Sequence, residues 1–158
     1  MATQPGESGQ AIMEDETRDR DDDPAARHVR EKGLAQGILS RDISRAMVNL
    51  LKEYIGRGAS HAHAYIHEDL VVVVLRCTMT KAERTLADEG EEALVRGVRQ
   101  VLQAKFREDA NGIVERLTGQ HVSAFLSDQD VDEDVVIQAF VLEPGPRPAI
   151  SQGPVEVP

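Results

Sequence analysis

The chain has 158 residues, a formal charge of −10 and only 3% aromatic residues. That balance excludes nucleic acid as a partner, because neutralising phosphates takes Lys and Arg and stacking on bases takes rings. The most apolar run, Leu70 to Leu75, is far shorter than the roughly 20 residues of a spanning helix, and the acidic N-terminus shows no signal peptide.

A cytoplasmic protein is therefore expected, peripheral to a membrane at most through a partner. The single cysteine, Cys77, excludes an internal disulfide and fits a reducing compartment. It closes an apolar run and reads as a small core residue.

Residues 1–34 are acidic, with sparse apolar residues, and read as a disordered tail that gains at most a short helix. Residues 145–158 are rich in Pro and Gly and read as a second tail. Residues 35–144 are left as one folded α+β domain.

The first firm element is a helix from about Leu39 to Ile55, with Ser40 as its candidate cap. Ile43, Met47, Leu50, Leu51 and Tyr54 recur at helical spacing and form its apolar face. Gly56-Arg57-Gly58 ends it. A hairpin follows, His61 to His67 and Leu70 to Cys77, turning at Glu68-Asp69. Thr80-Lys81-Ala82-Glu83 matches a capping box and opens a short helix that stops near Gly90.

A long helix then runs from Glu91 to Leu117. Its expected buried stripe is Leu94, Val98, Val101, Leu102, Phe106, Ala110, Ile113 and Leu117, with Gly112 as a weak point. Thr118-Gly119 stops it. A second hairpin, His121 to Ser127 and Val135 to Leu142, closes the domain around an acidic loop, Asp128 to Asp134. The predicted architecture has two layers: an antiparallel four-stranded sheet with helices on one face.

Helix and hairpin occur twice. His61-Ala62-His63-Ala64-Tyr65-Ile66 lines up with His121-Val122-Ser123-Ala124-Phe125-Leu126. This suggests a duplicated α-β-β unit; chance likeness of two amphipathic hairpins is the competing explanation.

A two-residue turn at Glu68-Asp69 pairs Ile66 with Val71, Ala64 with Val73 and Ala62 with Leu75. Cross-strand partners share a face, so this apolar face belongs against the helices. The opposite face carries His61, His63, Tyr65, His67, Leu70, Val72, Val74 and Arg76. The candidate interface or ligand residues are His61, His63, Tyr65, Val72, Val74 and Arg76. Strands apolar on both sides are usually covered on both sides. Another copy of the chain is the simplest cover, and a small-molecule groove is the competitor.

Other constellations carry less. His61 and His63 can chelate a metal ion, but a stable site needs a third or fourth ligand. His67 lies roughly 13 Å along the strand from His63, at about 3.3 Å per residue. No metal site is therefore assigned. Asp128, Asp130, Asp132 and Asp134 alternate, yet Glu133 and Ala139 stand where a calcium loop needs glycine and glutamate, so a solvated loop is expected. Arg57, between two glycines, is a candidate anion contact. No nucleophile with a base and an orienting acid can be picked out, so no enzyme activity and no cofactor are expected.

Several short motifs in order resemble the bacterial MpsC-like proteins. They are Tyr54-Ile55-Gly56-Arg57-Gly58, Asp69-Leu70-Val71-Val72-Val73-Val74, the box Thr80 to Glu83, Leu117-Thr118-Gly119, Ala124-Phe125-Leu126-Ser127-Asp128 and Phe140-Val141-Leu142-Glu143-Pro144. The resemblance covers about residues 36–144. Ala59 replaces a usual proline and Met79 a common leucine.

The resemblance implies a component of a Na⁺-translocating, membrane-potential-generating system, and brings no catalytic residues. It does not include the pair His61 and His63. The expected role is a non-enzymatic accessory or regulatory component acting by protein–protein contact. Its expected partners are another copy of itself and an integral membrane protein. The alternative is a small-ligand or metal-binding domain using the His/Tyr face.

Overall fold

The computed structural model describes residues 23–144. In chain order the elements are α1 (Pro24–Ile55), β1 (His61–His67), β2 (Leu70–Arg76), α2 (Lys81–Asp88), α3 (Glu92–Thr118), β3 (Val122–Asp130) and β4 (Val135–Leu142). The chain divides into two compact units, one up to Ile38 and one from Leu39 onward. The second holds the sheet, α2, α3 and the second half of α1. The tail expected at 145–158 and most of the one expected at 1–34 lie outside the described residues.

The first helix begins at Pro24, not near Leu39. The extension has no strong apolar period, but Ala, Arg, Glu, Lys, Gln and Leu dominate it, and these are good helix formers. Its start is also well made. The Asp23 carboxylate accepts the amide of Ala25 at 3.0 Å, and Pro24 stands at the first helical position, where its missing N–H costs nothing. Ser40 is consequently mid-helix. Its hydroxyl caps nothing and instead donates to the carbonyl of Ala64 on β1.

The first hairpin has the expected register: Ile66 faces Val71, Ala64 faces Val73 and Ala62 faces Leu75. The turn lacks glycine, and Glu68 takes the positive φ of 48° that so tight a reversal requires. In the second hairpin β4 has its expected bounds. β3 runs on to Asp130, so Asp128 and Asp130 are strand residues and the turn shrinks to 131–134.

All four strands form one antiparallel sheet in the order β1-β2-β4-β3. The hairpins meet through their second strands, β2 against β4. Position by position, however, the first strands do not correspond. An irregularity between Val122 and Ala124 shifts β3, so Phe125 is buried whereas its counterpart Tyr65 is exposed.

One face of the sheet meets the helices. Ile43, Met47, Leu50 and Leu51 of α1 and Phe106, Ala110 and Val114 of α3 form one core with Val71, Val73, Leu75, Phe140 and Leu142. The helices are tied to each other and to the sheet. Tyr54 stacks edge-on against Phe106, and its hydroxyl donates to Asp109 at 2.7 Å, a bond that raises the phenol's pKa above its ordinary value. At the end of α3 the amide of Val122 donates to Glu115 at 2.9 Å, with His121 Nδ1 2.6 Å from the same oxygen. Val122 first, and His121 after it, hold the Glu115 carboxyl below its ordinary pKa.

The buried stripe of α3 differs from expectation in its first half. Leu94, Val98 and Val101 are exposed, and Val95 and Arg99 face inward. The second half follows the pattern through Phe106 and Ala110. Val95 packs with Met79 and Val131 in a small second cluster, and Arg99 has partners described below.

The α1–β1 connection passes close over α1. A Cβ on Gly58 would sit 2.9 Å from Val48 Cγ1 and 3.1 Å from the Val48 carbonyl. Val48 is β-branched and cannot swing away cheaply. Gly58→Ala is expected to destabilise the domain by about 1–2 kcal/mol in a urea melt, as an overpacked site does.

Candidate functional site

The other face of the sheet is open among the described residues, and the pairings lay it out as four cross-strand rows. His61, Arg76, Val135 and Asp130 form the first, and His63, Val74, Ile137 and Asp128 the second. Tyr65, Val72, Ala139 and Leu126 form the third, and His67, Leu70, Val141 and Ala124 the last. Strand parity alone puts these residues together, since every second side chain points the same way.

The two middle strands of this face are apolar apart from Arg76, and the flanking strands are largely polar, with Tyr65 and Leu126 carrying the apolar band to both edges. Tyr65 is 58% exposed, Leu126 60% and Ile137 46%. Val72 and Val74 are half-buried by their neighbours. Exposed apolar side chains on one face of four neighbouring strands make a patch, and patches of this kind mark contact surfaces. The β1 side carries three imidazoles, with His63 edge-on to Tyr65 at 4.5 Å between ring centroids. The β3 side carries the carboxylates of Asp128 and Asp130.

All six candidate residues, His61, His63, Tyr65, Val72, Val74 and Arg76, fall on this one face. Arg57 does not; it is exposed in the connection between α1 and β1. Among the described residues no group of three or more His, Cys, Asp or Glu could hold a metal ion. The contributions of β4 and β3 to the face depend on their pairing with the first hairpin, which strand-by-strand reading does not supply.

The densest polar chemistry lies elsewhere, at the corner where β2 leaves the sheet for α2. Here a chain of charges has its centre buried, at Asp134 and Arg99, with Glu83 mostly buried beside them and Arg84 half exposed at one end. Asp134 Oδ1 accepts the amide of Thr78 at 2.8 Å, the Thr78 hydroxyl at 3.0 Å and the amide of Met79 at 3.0 Å. Asp134 Oδ2 accepts Arg84 Nη2 at 2.8 Å. The Thr78 hydroxyl in turn accepts Arg99 Nη1 at 2.7 Å. Arg99 grips Glu83 with two bonds, Nε to Oε1 at 2.7 Å and Nη2 to Oε2 at 3.1 Å.

Glu83 also completes the expected capping box, accepting the Thr80 amide at 2.7 Å while its own amide donates to the Thr80 hydroxyl at 3.3 Å. Burial pushes the Glu83 carboxyl up, but the bonds from Arg99 and Thr80 outweigh it and hold the pKa below its ordinary value.

Two expectations fall at this corner. Asp134 is not part of a solvated loop: it is buried, and its φ of 49° aims the carboxylate at the β2–α2 turn. Cys77 is not a core residue: it is exposed, at a φ of 56°. The two share a cause. The Cys77 amide donates to the Asp134 carbonyl, and the left-handed turn at Cys77 ends β2 and delivers the next two amides to Asp134. The network is saturated by its own members and presents neither a free base nor a nucleophile to a cleft. Its geometry is that of a clamp joining β2, α2, α3 and the β3–β4 turn.

Among the described residues no helix is long and apolar enough to cross a membrane. Comparison with curated proteins finds a relative described as uncharacterized protein YbcI, from Bacillus subtilis (strain 168). It is 27% identical over 95 residues, or 60% of this chain and 77% of the relative. No solved structure matches. The family model described as "Na+-translocating membrane potential-generating system (MpsC)" matches residues 35–144, which takes in every strand, both later helices and the clamp. This α+β chain belongs to the MpsC family.

Proposed function

We propose that the protein is a non-enzymatic accessory or regulatory component of a Na⁺-translocating, membrane-potential-generating system, acting by protein–protein contact. Membership of the family supports the system, and the open sheet face supports the mode. The observation that carries the reading is the apolar band of Tyr65, Val72, Val74, Ile137 and Leu126 across all four strands. Burying such a band gains roughly 25 cal/mol per Å², which a solvated face forgoes. The closed clamp supports the non-enzymatic part, because its carboxylates and guanidinium groups are committed to each other.

In this reading the chain is cytoplasmic and reaches the membrane through an integral partner. Crosslinking with mass spectrometry in cells checks it. The expected result is a crosslink from the open face to an integral membrane protein, lost in Val74→Asp. A chain that stays entirely in the soluble fraction and links to no membrane protein would sink the proposal.

A further inference from the structure

We infer that the open sheet face binds a second copy of this chain, face to face, about a two-fold axis parallel to the strands. The inference rests on the reading of this face as a contact surface and names its occupant. Its basis is the distribution of charge over the four rows. The imidazoles stand on the β1 side and the carboxylates on the β3 side, with apolar residues between them.

An isologous pair must apply one patch to itself, and two in-plane axes are available. An axis across the strands lays β1 on β1 and β3 on β3 with the rows reversed, so Asp128 meets Leu126, Asp130 meets Ala124, and no histidine meets a carboxylate. An axis along the strands, running between β2 and β4, lays β1 on β3 and β2 on β4. Row then meets row: His61 faces Asp130 of the second copy, His63 faces Asp128, Tyr65 faces Leu126 and Val74 faces Ile137.

Imidazole N–H groups donate to carboxylates whether the ring is neutral or charged, so each flank pairs as the centre is buried. Aligned sheets pack at about −30°, which skews these matches at the corners but leaves the histidine flank over the acidic one. The apposed area is small. Four strands about 4.8 Å apart and about 23 Å long give a face of roughly 450 Å², below the roughly 800 Å² per partner of a stable complex. The dimer is therefore a weak, concentration-dependent one.

Sedimentation equilibrium of the full chain from about 1 to 200 µM tests this. The mass is expected to rise from one copy toward two across that range. Ile137→Asp should hold it at one copy with an unchanged melting curve. The charge pair tests the axis and does not depend on Ile137→Asp folding. His63→Asp places a carboxylate against Asp128 of the second copy and should weaken the dimer at least tenfold; adding Asp128→Lys to the same chain should restore it.

A wild-type chain that stays monomeric at 200 µM, or a dimer indifferent to Ile137→Asp, overturns the inference. So does a dimer that Asp128→Lys fails to rescue. The two readings fail separately. A monomer that keeps its Val74-dependent membrane crosslink removes only the second copy, and a rescued dimer with no membrane partner removes only the proposed function.

Discussion

Arg99→Ala is expected to cost the domain about 3–5 kcal/mol, the usual result of removing one partner of a buried ion pair. Only 4% of the Arg99 side chain and 13% of the Glu83 side chain are exposed. The substitution leaves the Glu83 carboxylate desolvated with only the Thr80 donors, and leaves the Thr78 hydroxyl without its guanidinium. The measurement is the urea midpoint, with the slope checked for two-state behaviour.

The effect is also pH-dependent, with a definite sign. The folded-state pKa of Glu83 lies below its ordinary value of 4.5. A depressed carboxyl adds stability above its unfolded pKa and loses it as pH falls through the folded one. Wild type and Arg99→Ala should therefore differ most near neutrality and converge as pH falls below 4.5 and on through the lower folded-state pKa. Glu83→Gln with Arg99→Met should recover part of the loss. It removes both charges, and glutamine still serves at the third position of a capping box.

The second large effect belongs to Asp134. Asp134→Ala is expected to cost about 3–5 kcal/mol, because the Thr78 and Met79 amides and the Arg84 guanidinium lose their common acceptor in a buried setting. Asp134→Asn should cost only about 1–2 kcal/mol. One amide oxygen can keep the three donors that converge on Oδ1, and asparagine tolerates a φ of 49° as alanine does not. Arg84 Nη2 would then face an NH₂ group, but the Arg84 side chain is 52% exposed and can turn to water. Thermal melts of the two variants side by side give the ranking, and equal losses would contradict this account of the clamp.

The hairpins were readable because a strand facing a core on one side has a period of two. His61 to His67 alternates without a break, Leu70 to Leu75 is a short unbroken apolar run, and the register followed from the turn between them. The second half of α3 was readable for the same kind of reason at helical period. Its first half offers two stripes, Leu94-Val98-Val101 and Val95-Arg99-Leu102. Judged by hydrophobicity the first wins, since an arginine scores as solvent-facing.

The second stripe is buried because Glu83, on a different helix, is there to receive Arg99. No local pattern announces a partner sixteen positions away. Asp134 was hidden in the same manner. It is one of four alternating aspartates, and only its backbone turn separates it from the others. The capping box at Thr80 was visible in sequence, and it marks one end of the network whose other members were not. The extension of α1 was missed because propensity without an apolar face leaves no periodic signal.

The hydroxyl of Ser40 on the Ala64 carbonyl has a consequence for how open the sheet's edge is to a neighbouring strand. β1 is an edge strand, and an unpaired strand edge invites the next molecule to add on, indefinitely. Here a helix side chain already occupies one of the edge's acceptors. The opposite edge, β3, is shifted by its irregularity and carries Asp128 and Asp130, which repel a like edge. Addition at β1 is hindered by the Ser40 bond and pairing of β3 with a like edge by its carboxylates, which leaves the broad face as the more open surface. In the inferred dimer a two-fold axis there leaves no face for a third copy, and a membrane partner on the same face competes with the weak pairing. In that dimer, assembly would therefore stop at a closed pair instead of growing into a fibre.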